Sequence, residues 1–339
     1  MAESPMEQTD ADLAGTPGAN AWLYLAVVFG FSWAAWLIAL RLHAREEFLN
    51  FGAAGPALAA MLLSRQGKDR WASPARRAAV FVAMLFVCWI VLALRYGSNA
   101  GVGFHPNPWL MAVAVPPAWV LSGVFSKDGG IRSLISRLVH SSTRWSLIAL
   151  LFFPAFLLTP AAIAKLLHLS LVTPQHNGSA TTLIQSAVTL FLYNLLFVAV
   201  LEEPGWRGFL LDRLQQTRSP LVASIAVWAP WALWHLPLDY SRPTPFSLMM
   251  FLQVRVIFLI PIAIIMTWLY NRSRSSLQST TMFHAGMNTF PFVLPYFPPA
   301  LSLLFVVAGY AIYSDRMWRK KELEPKLSVV ARVATGWRT

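Results

Sequence analysis

A chain of 339 residues that is 56% hydrophobic and only 12% charged, with a positive mean hydropathy, belongs in a lipid bilayer and not in a soluble domain. Its formal net charge of +12 is spread between apolar runs, which argues against nucleic acid as a partner and for loop charges that orient helices. The single cysteine, Cys88, lies inside an apolar run, so disulfides and cysteine metal sites are excluded and buried helix filler is its reading.

The first nineteen residues are polar and acidic, with no basic segment ahead of an apolar core, and read as a disordered tail. Ten apolar runs follow, at roughly 21–40, 48–64, 78–94, 108–125, 146–164, 183–201, 219–238, 246–270, 276–295 and 298–314, which predicts an all-α polytopic bundle of about eight to ten spans. With the N-terminus inside, twenty-one of the 27 Lys and Arg fall on the inner side and five on the outer. That asymmetry predicts a multi-pass cell-membrane protein with both termini cytoplasmic. Arg255 falls within a run and is expected to snorkel to the interface, with a role in holding a substrate carboxylate as the rarer reading. Within 126–145, Ile131, Leu134, Ile135 and Leu138 share one helical face, predicting an amphipathic linker along the cytoplasmic membrane surface. The runs in 20–179 carry few polar groups and read as accessory helices. Polar groups collect in 180–295, the expected site-bearing core, followed by a last helix and a basic tail in 296–339. The short charged loops and the lack of an organelle signal read as bacterial.

The stretch Leu201-Glu202-Glu203-Pro204-Gly205-Trp206-Arg207 ends about twenty nearly uncharged residues. A carboxylate near the middle of a bilayer costs at least ~2.5 kcal/mol, so such an acid is a functional candidate. On a helix Glu203 and Arg207 face each other as an ion pair, while Glu202 points about 100° away and is left for chemistry. Pro204 removes the N–H that would bond the Val200 carbonyl, so a bend is expected here, and Gly205 lets another backbone come close. A turn around Pro220 separates Glu202 from His235 by two arms of about fifteen residues. An antiparallel hairpin then sets both residues level, about 22 Å from the tip at a rise of about 1.5 Å per residue. Trp231 is one turn before His235 and is expected to wall it from lipid. Pro237 ends or kinks that helix. His284 and Asn288, four apart, point from one helical face roughly 15 Å from the cytoplasmic boundary.

Glu202-Glu203-x-x-x-Arg207, then Trp231-x-x-x-His235, then His284-x-x-x-Asn288, in this order and spacing, resemble the CPBP family. It comprises type II CAAX prenyl proteases and bacteriocin-processing enzymes and is also called Abi. The resemblance covers about 180–292, and the family pattern most often has Phe where Trp231 stands, a position of bulk. It implies a glutamate-dependent intramembrane endopeptidase that cuts a prenylated-CAAX-like or peptide/bacteriocin-type substrate near the cytoplasmic face. Glu202 would act as general base on water, helped by His235. His284 with Asn288 would stabilise the oxyanion, and Glu203 with Arg207 would hold the helix geometry. Members are described as metalloproteases, and His235, His284 and Glu202 would suit Zn²⁺. If Glu202 is a ligand, however, it is less available as the base, and no HExxH element supplies another. Both readings stay open at this level.

Two rivals follow from the same residues. One is a catalytically silent membrane scaffold or bacteriocin-immunity protein that keeps the fold. The other is a proton- or ion-coupled transporter, against which stands the single occurrence of the polar motifs where transporters show related halves.

Overall fold

The computed structural model describes residues 17–44, 46–68, 72–99, 104–140, 143–174, 180–240 and 247–320. All ten apolar runs form helix. Six helical stretches are long and apolar enough to cross a membrane, and the remaining runs fold as shorter helices. The bundle is all-α; among the described residues β-pairing is confined to the isolated bridges Lys68–Asp128 and Val172–Tyr296.

In chain order, α1 spans Pro17–Arg41, α2 Asn50–Leu63, α3 Pro74–Asn99, α4 Trp109–Ser122, α5 Gly129–Ser136 and α6 Thr143–Leu166. The longest run, α7, covers Thr181–Thr217, followed by α8 at Pro220–Tyr240, α9 at Leu248–Arg272, α10 at Leu277–Thr289 and α11 at Pro298–Ser314. α1 opens three residues inside the expected tail; the rest of 1–16 and the basic segment 321–339 lie outside the described residues.

Local chemistry sets the helix starts. Ser219 accepts a hydrogen bond from the Val222 N–H just ahead of Pro220 at the first helical position, and Ser276 does the same for Ser279 at the head of α10. Between α9 and α10 the chain turns through Arg274 and Ser275, both at positive φ. The turn is held from outside. Arg137 donates to the Ser275 carbonyl at 3.0 Å, and the Arg137 carbonyl accepts the N–H groups of Leu277 and Gln278.

The main core joins Tyr24 and Trp36 of α1 to Trp206 of α7, Trp231 and Trp234 of α8 and Phe283 of α10, so the polar motifs sit inside a ring of aromatics. α2 packs on the middle of α7, α10 on α6 and on α7, and α8 on α9. A smaller satellite core joins α3 and α4 to Phe197, and there Cys88 is buried as filler.

One expectation is corrected. The apolar face of the 126–145 linker does not lie on a membrane surface: Leu134, Ile135 and Leu138 are buried in the main protein core. α5 is amphipathic because protein covers one of its sides.

Candidate active site

Pro204 leaves the Val200 carbonyl without its helical donor, and α7 accommodates this by changing its winding. A π-helical turn at Asn194–Ala199 precedes the α-helical Val200–Gly205, and a second at Trp206–Leu211 follows it. Every residue from Val200 to Leu211 is buried. At Gly205 an added Cβ would run into the Pro56 carbonyl of α2 and the Tyr24 hydroxyl of α1, so glycine is what lets the three helices meet here.

Glu203 is fully buried, and its Oε1 accepts two hydrogen bonds: from Arg207 Nη1 at 2.8 Å, one helical turn on, and from His284 Nδ1 at 2.8 Å, on α10. The Arg207 guanidinium lies over the Trp231 ring at 4.1 Å from its centroid. Trp231 in turn donates its indole N–H to Glu202 Oε2 at 2.8 Å. Glu202 itself is only 3% exposed. Three helices, α7, α8 and α10, therefore converge on two adjacent carboxylates with different surroundings. Glu203 is fixed at Oε1 between a guanidinium and an imidazole, with Oε2 buried and unbonded, while Glu202 is fixed by one donor at Oε2 and keeps Oε1 for other work.

The two histidines are oriented through the same ring nitrogen. His235 Nδ1 lies 2.7 Å from the Trp231 carbonyl, which can only accept, so Nδ1 carries the proton. His284 likewise directs Nδ1 at a carboxylate. In the neutral form each ring then offers Nε2 as an acceptor; in the charged form Nε2–H becomes a second donor. Both rings pack against Trp231, with centroids 6.1 and 5.5 Å away.

The Glu203–Arg207 pair stands where the spacing puts it. In the hairpin of α7 and α8, Trp231, one turn ahead of His235, reaches Glu202, and it does so as a donor and not as bulk alone. His235 ends the first segment of α8, and Leu236–Tyr240 continues as a separate turn, the interruption expected of Pro237. Asn288 shares the face of His284 and is half-buried, and its carbonyl accepts from Asn194 Nδ2 at 3.0 Å. Arg255 forms a two-pronged ion pair with Asp239, both bonds at 2.8 Å, tying α9 to the end of α8, a partner the snorkelling reading did not include.

Three contributors escape sequence reasoning. Tyr24, in the expected accessory region, has a fully buried hydroxyl close enough to Glu202, Arg207 and Glu203 to interact electrostatically. Asn194 holds α10 to α7 through the Asn288 carbonyl and Thr289 Oγ1, each at 3.0 Å. Asp212 receives Arg137 and the Tyr270 hydroxyl. A lone polar residue in an apolar run was the only signal for Tyr24 and Asn194, and nothing in the spacing says what either would touch.

The tentative metal set of Glu202, His235 and His284 does not fit an ion in this arrangement. Among the described residues no three His, Cys, Asp or Glu side chains gather closely enough to hold one, and Trp231 and Glu203 occupy Glu202 Oε2 and His284 Nδ1.

Fold and site together define a polytopic membrane protein with a buried pair of glutamates at the meeting of its helices. Residues 184–290 match the family model for type II CAAX prenyl endopeptidase, Rce1-like proteins. The chain is also 28% identical over 222 residues to the CAAX prenyl protease 2 of Methanococcus maripaludis, an alignment covering 60% of this chain and 78% of that protein. Both findings support membership of the CPBP/Rce1-like CAAX protease family, carried by residues 184–290. That relative is archaeal, which lends the bacterial reading no support.

Proposed function

We propose that this chain is a glutamate-dependent intramembrane endopeptidase that hydrolyses a peptide bond near the cytoplasmic membrane face. The observation that carries the reading is the contrast between neighbours: Glu203 turns one oxygen to both the Arg207 guanidinium and His284, whereas Glu202, also buried, is held by one indole N–H. A carboxylate held off water and oriented by a single donor is suited to take a proton.

In the proposed reaction Glu202 Oε1 takes a proton from water as its oxygen attacks the scissile carbonyl carbon. His235, with its Nδ1–H given to the Trp231 carbonyl, accepts the second hydrogen of that water at Nε2. The carbonyl becomes a tetrahedral oxyanion, which the Asn288 amide and the Nε2–H of a charged His284 stabilise. The Glu203 carboxylate balances that charge at Nδ1. Glu202 then passes its proton to the departing amine, and the C–N bond breaks. Asn288, half-buried on the face of His284, supports this reading by leaving part of its side chain open to a substrate.

The names of the family model and of the archaeal relative make a prenylated peptide ending in a CAAX-like sequence the first substrate class, with peptide or bacteriocin-type substrates second. The charge asymmetry of the loops supports cytoplasmic termini. Tyr24 and Pro56 extend the catalytic unit beyond 180–295 into the N-terminal helices.

The test is cleavage by purified protein in nanodiscs of farnesylated and unmodified peptide libraries, with Glu202→Gln and His284→Ala as controls and a strong chelator in parallel. Cleavage is expected in wild type with and without chelator and is expected to vanish in both variants. Cleavage that survives Glu202→Gln would overturn the assignment of the base.

A further inference from the structure

A cavity of about 230 Å³ opens between the end of α2, the outer side of α5 and the last turns of α7. It has room for several waters at about 30 Å³ each, hence for a tetrahedral oxyanion with its hydration. Arginines from three separate elements line it: Arg65 after α2, Arg137 at the end of α5, and Arg213 of α7. No acidic residue is among its lining residues. Two carboxylates lie just outside that lining: Asp212 is taken up by Arg137 at 3.0 Å and the Tyr270 hydroxyl at 2.7 Å, and Asp128 by the backbone N–H groups of Gln66, Gly67 and Ile131.

The arginines are not all spent. Arg137 uses Nε on the Ser275 carbonyl and Nη1 on the Gly208 carbonyl and Asp212, which fixes the guanidinium plane, while its buried Nη2 makes no hydrogen bond. Arg213 is held in place over the Phe209 ring. Arg65 is exposed and forms no ion pair among the described residues. Ser133 and Gln66 add neutral donors at the rim. A planar guanidinium anchored by its other nitrogens, with two further cations beside it, matches the geometry and charge of a phosphate group. The location agrees. Arg213 is one turn from the end of the membrane-length α7, the end to which loop charge assigns the cytoplasm and on whose side anionic headgroups are expected.

We infer that this cavity is a phosphate-binding site whose ligand is the phosphate of an anionic lipid headgroup or a free phosphate. The inference is independent of the protease reading. It gives the linker helix α5 a function, and because Gly208 both lines the cavity and follows Arg207, the bound anion would sit beside the helix that carries the glutamates.

The test uses the full chain in a neutral detergent, titrated calorimetrically with dioctanoyl phosphatidic acid, dioctanoyl phosphatidylcholine and inorganic phosphate. Arg65→Ala removes one cation; Ser133→Glu places a carboxylate in the rim. Both positions are exposed, so unchanged melting of each variant serves as the folding control. Phosphatidic acid is expected to bind saturably, phosphatidylcholine to bind much more weakly, and each variant to lose roughly tenfold in affinity, the scale of one charge-assisted hydrogen bond. Lipid binding far tighter than inorganic phosphate identifies the headgroup as the source, and equal affinities identify free phosphate. Variants that bind phosphatidic acid as tightly as wild type would reduce the effect to general attraction by a basic protein and overturn the site. So would the absence of saturable binding, or displacement of the lipid by a peptide C-terminal carboxylate but not by phosphate.

Discussion

Trp231 donates its indole N–H to Oε2 of Glu202 at 2.8 Å, linking two residues of different helices across 29 positions. The same ring lies under the Arg207 guanidinium and beside both histidines, so one side chain touches four polar residues of the centre. In the proposed reaction this bond fixes which carboxylate oxygen meets water.

Trp231→Phe keeps an aromatic face at this position and removes the donor together with one ring of the indole. A hydrogen bond to a charged group is worth ~1.5–3 kcal/mol, so kcat on a cleaved peptide is expected to fall about ten- to hundredfold, with KM little changed. An unchanged kcat would return Trp231 to the role of bulk.

At Gly205 the obstacles to a methyl group are the Pro56 backbone carbonyl and the Tyr24 hydroxyl, and at Gly208 they are the flexible ends of Leu134 and Leu277. Backbone cannot move aside as a leucine can. Gly205→Ala is therefore expected to lower stability by about 1–3 kcal/mol, the usual range for overpacking, and Gly208→Ala by clearly less. Chemical denaturation in mixed micelles measures both, and equal losses would contradict the packing of α7 on α2.

Asp128 caps α5 from outside the membrane-length helices. Partial burial pushes its carboxyl pKa up, but the backbone N–H groups of Ile131, Gln66, Gly67 and Gly130 together outweigh this and hold it below the ordinary value. A depressed folded-state pKa means that the stabilising contribution is complete above the unfolded value of about 3.9 and is lost as pH falls through the lower folded one. Asp128→Ala is expected to cost about 1 kcal/mol at neutral pH, as for a lost helix cap. Its difference from wild type is expected to shrink below about pH 4. A gap that stays constant to pH 3 would show that the carboxylate charge contributes nothing.

Much of this was legible because membrane sequences make polar residues conspicuous. The ten helical runs and the Glu203–Arg207 pair follow from spacing alone, since an i,i+4 relation needs no tertiary knowledge. Trp231 as a donor was not legible, because a tryptophan in an apolar helix reads as bulk and its partner is fixed only by how α7 and α8 are rotated. Arg255 was read as snorkelling because Asp239 lies sixteen residues earlier, beyond any local rule. The covered face of α5 failed for a related reason: an amphipathic pattern shows that one side is buried but not by what.

The partners of Glu203 arrive at different times. Arg207 is four residues away on the same helix, and His284 follows eighty-one residues later. As α7 leaves the ribosome, its buried carboxylate already has an opposite charge within reach that depends on no other helix. The pair can enter lipid close to neutral, sparing much of the cost of a bare charge. Arg207 thus escorts Glu203 through insertion, and the hydrogen bond that closes the centre forms only when α10 docks. Any fragment ending before α10 would hold both glutamates and lack the finished site.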